Sequence, residues 1–459
     1  MRRVAILGVA LLSGAGWASA QGTPAGDDRY RFAAGRGDER AVTLEATPTG
    51  ARFTWSGARP GWDTALVGVR VSAGAADPRV DLSAGAARVQ QYLDPDARGL
   101  RWLNLTGLRG ALSDGVVVEL QGQGATVEAG PATLRTFANG LDLSRRILIV
   151  APHPDDAEIA SFGLYAGRNA TVVTVTSGNA GDANYAAEFP DPAQQYLFKG
   201  FLRAVDSVTV PWLGGIPPDR TYNLGYFDAR LRTMREKRGE TVPEMYGPNT
   251  DVAAYRRANI GRLLPVGSRA NNWPNLVEDL LAILKKVDPQ IVVAAHPYLD
   301  YHADHRYATV ALAEAVERWK KPATFLLFTN HADRNLYPYG PSETTVSLPP
   351  TALSMPAWGT GADLAVQGVY AHPVSADLRK RKLYALEAMH DLRLAPVEQA
   401  ACGDPSAPRR PDYPRVPAVD YFRRGPRPDE VFFVYDRDGF RDVARTFVAQ
   451  DMPAPAAGK

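Results

Sequence analysis

Residues 146–158 read Arg-Ile-Leu-Ile-Val-Ala-Pro-His153-Pro-Asp155-Asp156-Ala-Glu158, which sets one imidazole and three carboxylates directly behind an apolar run. A second stretch repeats the plan: Gln290-Ile-Val-Val-Ala-Ala295 leads into His296-Pro-Tyr-Leu-Asp300-Tyr-His302-Ala-Asp304-His305. Four of the seven histidines fall in these two segments, so their distribution itself points to a site. Nitrogen and carboxylate oxygen suit a zinc ion held by three protein ligands, with a fourth position left for water. His153, Asp156 and His305 supply that set. Zinc lowers the pKa of its bound water to about 7, which makes a nucleophile and calls for a base beside it. Asp155 adjoins a ligand yet could share its ion only under strain, so it is the candidate base. His302 is the candidate for stabilising an oxyanion and protonating a leaving amine, with Asp304 as the carboxylate that orients it. The chemistry these six residues fit is addition of water to an unactivated carbonyl, with amide cleavage the natural case.

Simpler uses of the same residues lead elsewhere. A helix N-cap would employ one of Asp155 and Asp156, not both. Glu158 fits either a partner for a ligand histidine or a first-turn glutamate facing the helix dipole. His296, at a strand exit, reads as a turn residue. His331, Asp333 and Arg334, after the strand ending at Thr329, read as solvated loop residues.

These positions need elements to carry them. Ile147–Val150, Thr171–Thr176, Gln290–Ala295 and Thr324–Thr329 are short apolar runs of strand character. They alternate with helical patterns over 156–168, 192–205, 229–238, 275–287 and 304–319, and a further amphipathic helix spans Leu378–His390. Strands that alternate with helices build a mostly parallel sheet covered on both faces, and ligands bind such sheets at the strands' carboxyl ends. Both motifs lie there. Before residue 141 the pattern changes to short alternating runs such as Ala51-Arg-Phe-Thr-Trp55 and Gly115-Val-Val-Val-Glu-Leu120, punctuated by Gly, Pro and Asp. That is the signature of antiparallel sheet in a sandwich-like domain. Its Trp55, Trp62 and Trp102 are either core residues or a platform for sugar rings.

The expected division is a signal peptide over 1–20, a β-rich accessory domain over 21–142 and the α/β domain over 143–459. The first segment runs Met1-Arg-Arg3, then apolar residues to Leu12, then Ala18-Ser-Ala20, the form of a secretory signal with its cleavage site. The expected location is therefore periplasmic or extracellular. No later segment has the apolar length of a membrane span. A net charge of +2 gives no electrostatic case for nucleic acid as partner. Cys402 is the sole cysteine, which excludes an intrachain disulfide and a thiolate zinc cage. No sequence feature specifies an oligomeric state.

The segments His153-Pro-Asp-Asp-Ala-Glu158 and His302-Ala-Asp-His305 resemble the two signature motifs of the PIG-L/LmbE-like zinc-dependent de-N-acetylases. Val175-Thr-Ser-Gly-Asn-Ala-Gly-Asp182 resembles the Gly-containing loop after that family's second strand. The resemblance covers Leu143 to Trp319 and, more loosely, the helix ending at His390. It implies a Rossmann-like fold, zinc on His153, Asp156 and His305, the base at Asp155 and an electrophilic histidine at His302. The substrate it implies is an N-acetylated amino sugar or glycan, cleaved to acetate and free amine. Two departures stand out. Ala160-Ser-Phe-Gly163 replaces a Gly-rich helix start, and the segment between the motifs is long and carries Trp212, Tyr222, Tyr226, Tyr246 and Trp273. The function expected is that of an exported zinc hydrolase of N-acetylglucosamine-type sugars, with another divalent metal able to stand in. The alternatives are a non-catalytic glycan-binding protein and a hydrolase of another amide or ester. A two-metal phosphoesterase would need more ligands than the histidines supply.

Overall fold

A computed structural model describes residues 26–451 apart from 34, 59, 76, 184, 263, 265–268, 333–335, 352–362 and 391–420. The expected signal segment, Asp333, Arg334, Cys402 and the tail after Asp451 lie outside the described residues.

The N-terminal part is antiparallel sheet, as its alternating pattern predicts. After a short β1 (Tyr30–Phe32) that stands outside this sheet, its strands are β2 (Gly37–Thr47), β3 (Gly50–Thr54), β4 (Thr64–Ala73), β5 (Arg79–Ala84), β6 (Ala87–Tyr92), β7 (Arg98–Asn104), β8 (Val117–Gln123), β9 (Ala125–Val127) and β10 (Gly130–Phe137). The order is β6-β5-β8-β3-β2-β10-β4-β7, with β9 beside β4. The long β2 belongs to two halves: residues 37–44 pair with β10, and residues 45–47 pair with β3. Phe53, Leu82 and Leu120 from one half and Val67, Val69 and Leu103 from the other share one apolar core. Trp55, Trp62 and Trp102 are buried, so they are core residues and not an open platform.

The second sheet is built from β11 (Ile147–Ala151), β12 (Ala170–Thr176), β13 (Thr221–Tyr226), β14 (Ile291–Ala295), β15 (Thr324–Phe328), β17 (Gly368–Pro373) and β18 (Asp429–Tyr435). A short β16 (Leu364–Val366) pairs instead with β1, in parallel, and so ties the two parts together. The order is β13-β12-β11-β14-β15-β18-β17. The first five run parallel, while β18 is antiparallel to both β15 and β17. The sheet is therefore mixed, and the expectation of a mostly parallel sheet describes only the part that carries the motifs.

Every residue of β11, β12 and β14 is buried, which is why β11 and β14 are continuous apolar runs, whereas β12 carries buried Thr171, Thr174 and Thr176 among its valines. Successive side chains still point to opposite faces. Leu148, Val150, Val292 and Ala294 enter a core with α5 (Trp273–Val287), α6 (Ala303–Trp319) and α8 (Arg437–Asp451). Ile147, Ile149, Ile291 and Val293 enter another with α1 (Asp156–Tyr165) and α7 (Ala376–Ala388). The remaining helices are α2 (Pro192–Thr209), α3 (Leu231–Glu236) and α4 (Ala253–Arg256). Since β12 lies on one side of β11 and β14 on the other, the chain leaves β11 and β14 in divergent directions and opens a crevice at their carboxyl ends.

Candidate metal centre

The turn from β11 into α1 brings His153, Asp155 and Asp156 to the crevice. Asp156 bends back so that its Oδ2 accepts the His153 backbone N–H at 2.8 Å. From the end of β14, a loop and the first turn of α6 deliver His305. His153 Nδ1 lies 3.0 Å from His305 Nε2, and Asp156 Oδ2 lies 3.3 Å from the first and 3.0 Å from the second. Three donors bound at about 2.0–2.1 Å in a tetrahedron stand about 3.3 Å apart. The buried triangle therefore has the size and the donor types for one divalent cation.

The outer ring nitrogens of both histidines rest on carboxylates. His153 Nε2 is 3.1 Å from Asp228 Oδ1, and His305 Nδ1 is 2.9 Å from Asp300 Oδ2. Histidines that bind metal commonly have this arrangement, which fixes the tautomer and aims the other nitrogen. Burial alone would lower His305, but Asp156 and Asp300 outweigh it and push it up to about 9. Burial would likewise raise Asp156, yet the His305 and His153 imidazoles hold it well below the usual carboxylate range.

Residues 148–316 match a family model, PIG-L, described as GlcNAc-PI de-N-acetylase. These residues form a PIG-L domain. The match contains all six candidate residues and points to a hydrolase of de-N-acetylase type. No curated protein matches the chain. Among solved structures, GalB, the 4-carboxy-2-hydroxymuconate hydratase from Pseudomonas putida KT2440, is 14% identical over 54% of this chain and 79% of its own, with a TM-score of 0.26. An acetyl xylan esterase, Est2A, from the rumen bacterium Butyrivibrio proteoclasticus is 9% identical over 63% and 84%, with a TM-score of 0.16. Neither likeness carries an argument here.

Within the PIG-L domain Asp155 precedes the helix but does not cap it. Its side chain makes no capping hydrogen bond and instead receives Arg203 Nη2 at 2.9 Å. Burial pushes its carboxyl up to about 7 against the pull of Arg203. His302 reaches the same cluster, with its ring 4.7 Å from that of His153 and at right angles to it. Its buried Nδ1 has no hydrogen-bond partner. Burial, together with the neighbouring His153, His305 and His331, holds it well below the ordinary histidine value. Asp304 does not take the place expected of it beside His302. Its oxygens accept the backbone N–H groups of Ala229 and Leu231, and one stands 3.5 Å from His153 Nε2. At the first helical positions the side chain of residue 304 faces the β13–α3 loop.

Glu158 stands in the first turn of α1, as one of its two readings has it, and not against a ligand-candidate histidine. It is buried and accepts the Tyr165 hydroxyl at 2.7 Å, and burial pushes it up to about 8. His296 holds its turn as expected, with Nδ1 accepting from Tyr298 and Leu299. His331 departs from its reading as a solvated loop residue. Its ring lies 4.7 Å from His305 and 5.2 Å from His302, and its nitrogen falls in one potential ligand group with Asp156 and His305. Residues the motifs do not mark thus complete the centre: Asp228, Asp300, Asn330 and His331. Asp228 follows β13 and His331 follows β15, so the carboxyl-end rule that locates the motifs also reaches these two. Of the aromatic residues between the motifs, Tyr222, Tyr226 and Trp273 are buried, whereas Trp212 and Tyr246 are exposed.

Proposed function

We propose that this chain is an exported, zinc-dependent hydrolase that removes the acetyl group from an N-acetylated amino sugar or a glycan bearing one. The observation that carries the reading is the triangle of His153 Nδ1, Asp156 Oδ2 and His305 Nε2 at cation-binding size. The family match over the same residues supports the amide as the bond attacked. The pattern of residues 1–20 supports export. No helix among the described residues is long and apolar enough to cross a membrane.

His153, Asp156 and His305 would hold the cation, which supplies Lewis acidity: a water made nucleophilic near neutral pH and a polarised acyl oxygen. Asp155 takes the proton from the attacking water. Burial raises its carboxyl above the ordinary carboxylate value, which favours its taking up a proton. Arg203 fixes one of its oxygens, and the other receives the proton. His302 offers its ring to the acyl oxygen as a hydrogen-bond donor, the role its unpartnered nitrogen leaves open. The proton held on Asp155 then passes to the leaving nitrogen, so acetate and a free amine depart.

The test is acetate release from a panel of N-acetylated sugars by the purified protein, with and without a chelator. Release that stops on chelation and returns with zinc is the expected result. Acetate freed from O-acetyl esters but from no N-acetyl compound would reject the amide.

A further inference from the structure

Among the carboxylates around the centre, Asp300 is the one that bonds a ligand-candidate histidine and the backbone of two loops at once. It is fully buried. Its Oδ2 accepts from His305 Nδ1 at 2.9 Å, from the Asn330 N–H at 3.0 Å and from the His331 N–H at 3.2 Å, while Oδ1 accepts the His302 N–H at 3.1 Å. One carboxylate thus joins the loop after β14 to the loop after β15. The second loop in turn reaches the first motif, since Asn330 Nδ2 donates to Asp156 Oδ1 at 2.7 Å. That bond leaves Asp156 Oδ2 as the oxygen facing the two histidines.

We propose that Asp300 is the positioning residue of the metal centre. By holding the proton of His305 on Nδ1 it makes Nε2 the ligand nitrogen, and through residues 330 and 331 it sets the Asp156 oxygen and the His331 ring against the same point. An uncompensated buried carboxylate is costly, and here it is sustained by four donors. Both oxygens accept backbone N–H groups, so the carboxylate serves the loops as well as the imidazole. What it adds for the imidazole is charge, because a carboxylate partner raises the basicity of a ligand histidine.

The proposal rests on the reading that His153, Asp156 and His305 hold the cation, and its test separates the two. Zinc affinity of the full chain is measured by competition with a chelating dye for the wild type, Asp300→Asn and His305→Ala. Loss of an outer carboxylate partner costs about 10–100-fold in metal affinity, and that is the expected loss for Asp300→Asn, with a shifted visible spectrum in its cobalt form. Near wild-type affinity in Asp300→Asn, with only a lowered Tm, would leave Asp300 a staple and overturn the proposal. Wild-type affinity in His305→Ala would instead overturn the centre itself, and the proposal with it. A readout that needs no variant is the histidine nitrogen NMR spectrum of the zinc-loaded wild type: His305 is expected with its proton on Nδ1 and zinc on Nε2. The opposite arrangement refutes the assignment.

Discussion

Asp155 has two properties that a capping aspartate lacks. Its backbone sits at φ +118°, a region costly for a residue with a Cβ, and its side chain turns from the helix to Arg203. Strain of this kind persists where the surroundings impose it, here the buried Asp156 on one side and α2 on the other. Asp155→Asn keeps the shape and removes the basicity, so turnover is expected to fall about 10²–10⁴-fold. Bound zinc should stay at the wild-type level, because the triangle is untouched. Acetate release and metal analysis on the same sample check both. At this scale the gathering of His153, Asp156 and His305 was legible, since they occupy two short motifs behind adjacent strands. The partner of His302 was not: sequence spacing set Asp304 beside it, whereas the side chain's direction at the helix start depends on the β13–α3 loop, which no motif marks. Asp300, inside the second stretch, was given no role and His331 was read as a solvated loop residue for a related reason: what each does is decided by a neighbouring loop, residues 330 and 331 for the first and Asp156 with His305 for the second.

The element that carries the first motif is α1, and it is not a regular helix. Ser161 leaves helical geometry at φ −143°, ψ 17°. Around this break Ile159 C=O accepts from Lys382 Nζ at 2.7 Å, while the N–H groups of Gly163 and Leu164 donate to Glu430 at 2.8 and 2.9 Å. Lys382 and Glu430 are themselves paired at 2.9 Å and almost fully buried. An ion pair from α7 and β18 therefore completes the hydrogen bonds of the backbone around the kink. Gly163 is required there as well, for a Cβ would stand 2.6 Å from Val374 Cγ2. Breaking a buried pair by removing one partner costs about 3–5 kcal/mol, whereas removing both charges costs less. Lys382→Met should therefore destabilise by that amount in urea unfolding. Adding Glu430→Gln removes the unpaired charge but leaves one oxygen for two amides that bond separate oxygens of Glu430, so it should recover part of the loss and not all of it. Additive losses would show that the charges act independently. The strands and long helices of this region were legible because β11 and β14 are unbroken apolar runs, β12 is a run of Val and Thr, and α5 carries a broad apolar stripe. The kink was not, since Ala160-Ser-Phe-Gly163 is compatible with an ordinary helix and its cause lies in residues 382 and 430. Nor was the antiparallel β18–β17 edge, whose strands are apolar like the parallel ones.

At the scale of the molecule, the N-terminal sheet joins the α/β part through buried polar contacts as well as β1 and β16. Asn104 Nδ2 donates to Asp429 Oδ2 at 2.6 Å, Asn139 Nδ2 donates to Val369 C=O at 2.8 Å, and the Ala371 N–H donates to Thr64 Oγ1 at 3.0 Å. Asp429 also accepts the Val346 N–H at 3.0 Å. Burial dominates its ionisation and pushes the carboxyl from 3.8 up to about 7, although these hydrogen bonds and Arg427 pull the other way. The folded state therefore keeps a proton that the unfolded chain releases near its ordinary value. The associated stability is fully present below about pH 4 and is lost as the pH rises through about 7. Other carboxylates move in the opposite direction: Asp156, held low by its histidines, contributes stability that is lost on acidification. The whole protein's pH curve mixes these effects, and only a difference between variants isolates one. Asp429→Asn places a permanently neutral group at the junction with an oxygen for one donor. Relative to wild type, the variant should gain stability steadily between about pH 4 and 7, read as a rising difference in Tm across a buffer series. A constant difference over that range would mean that Asp429 is ionised in the folded protein and that the junction between the two parts holds a buried charge.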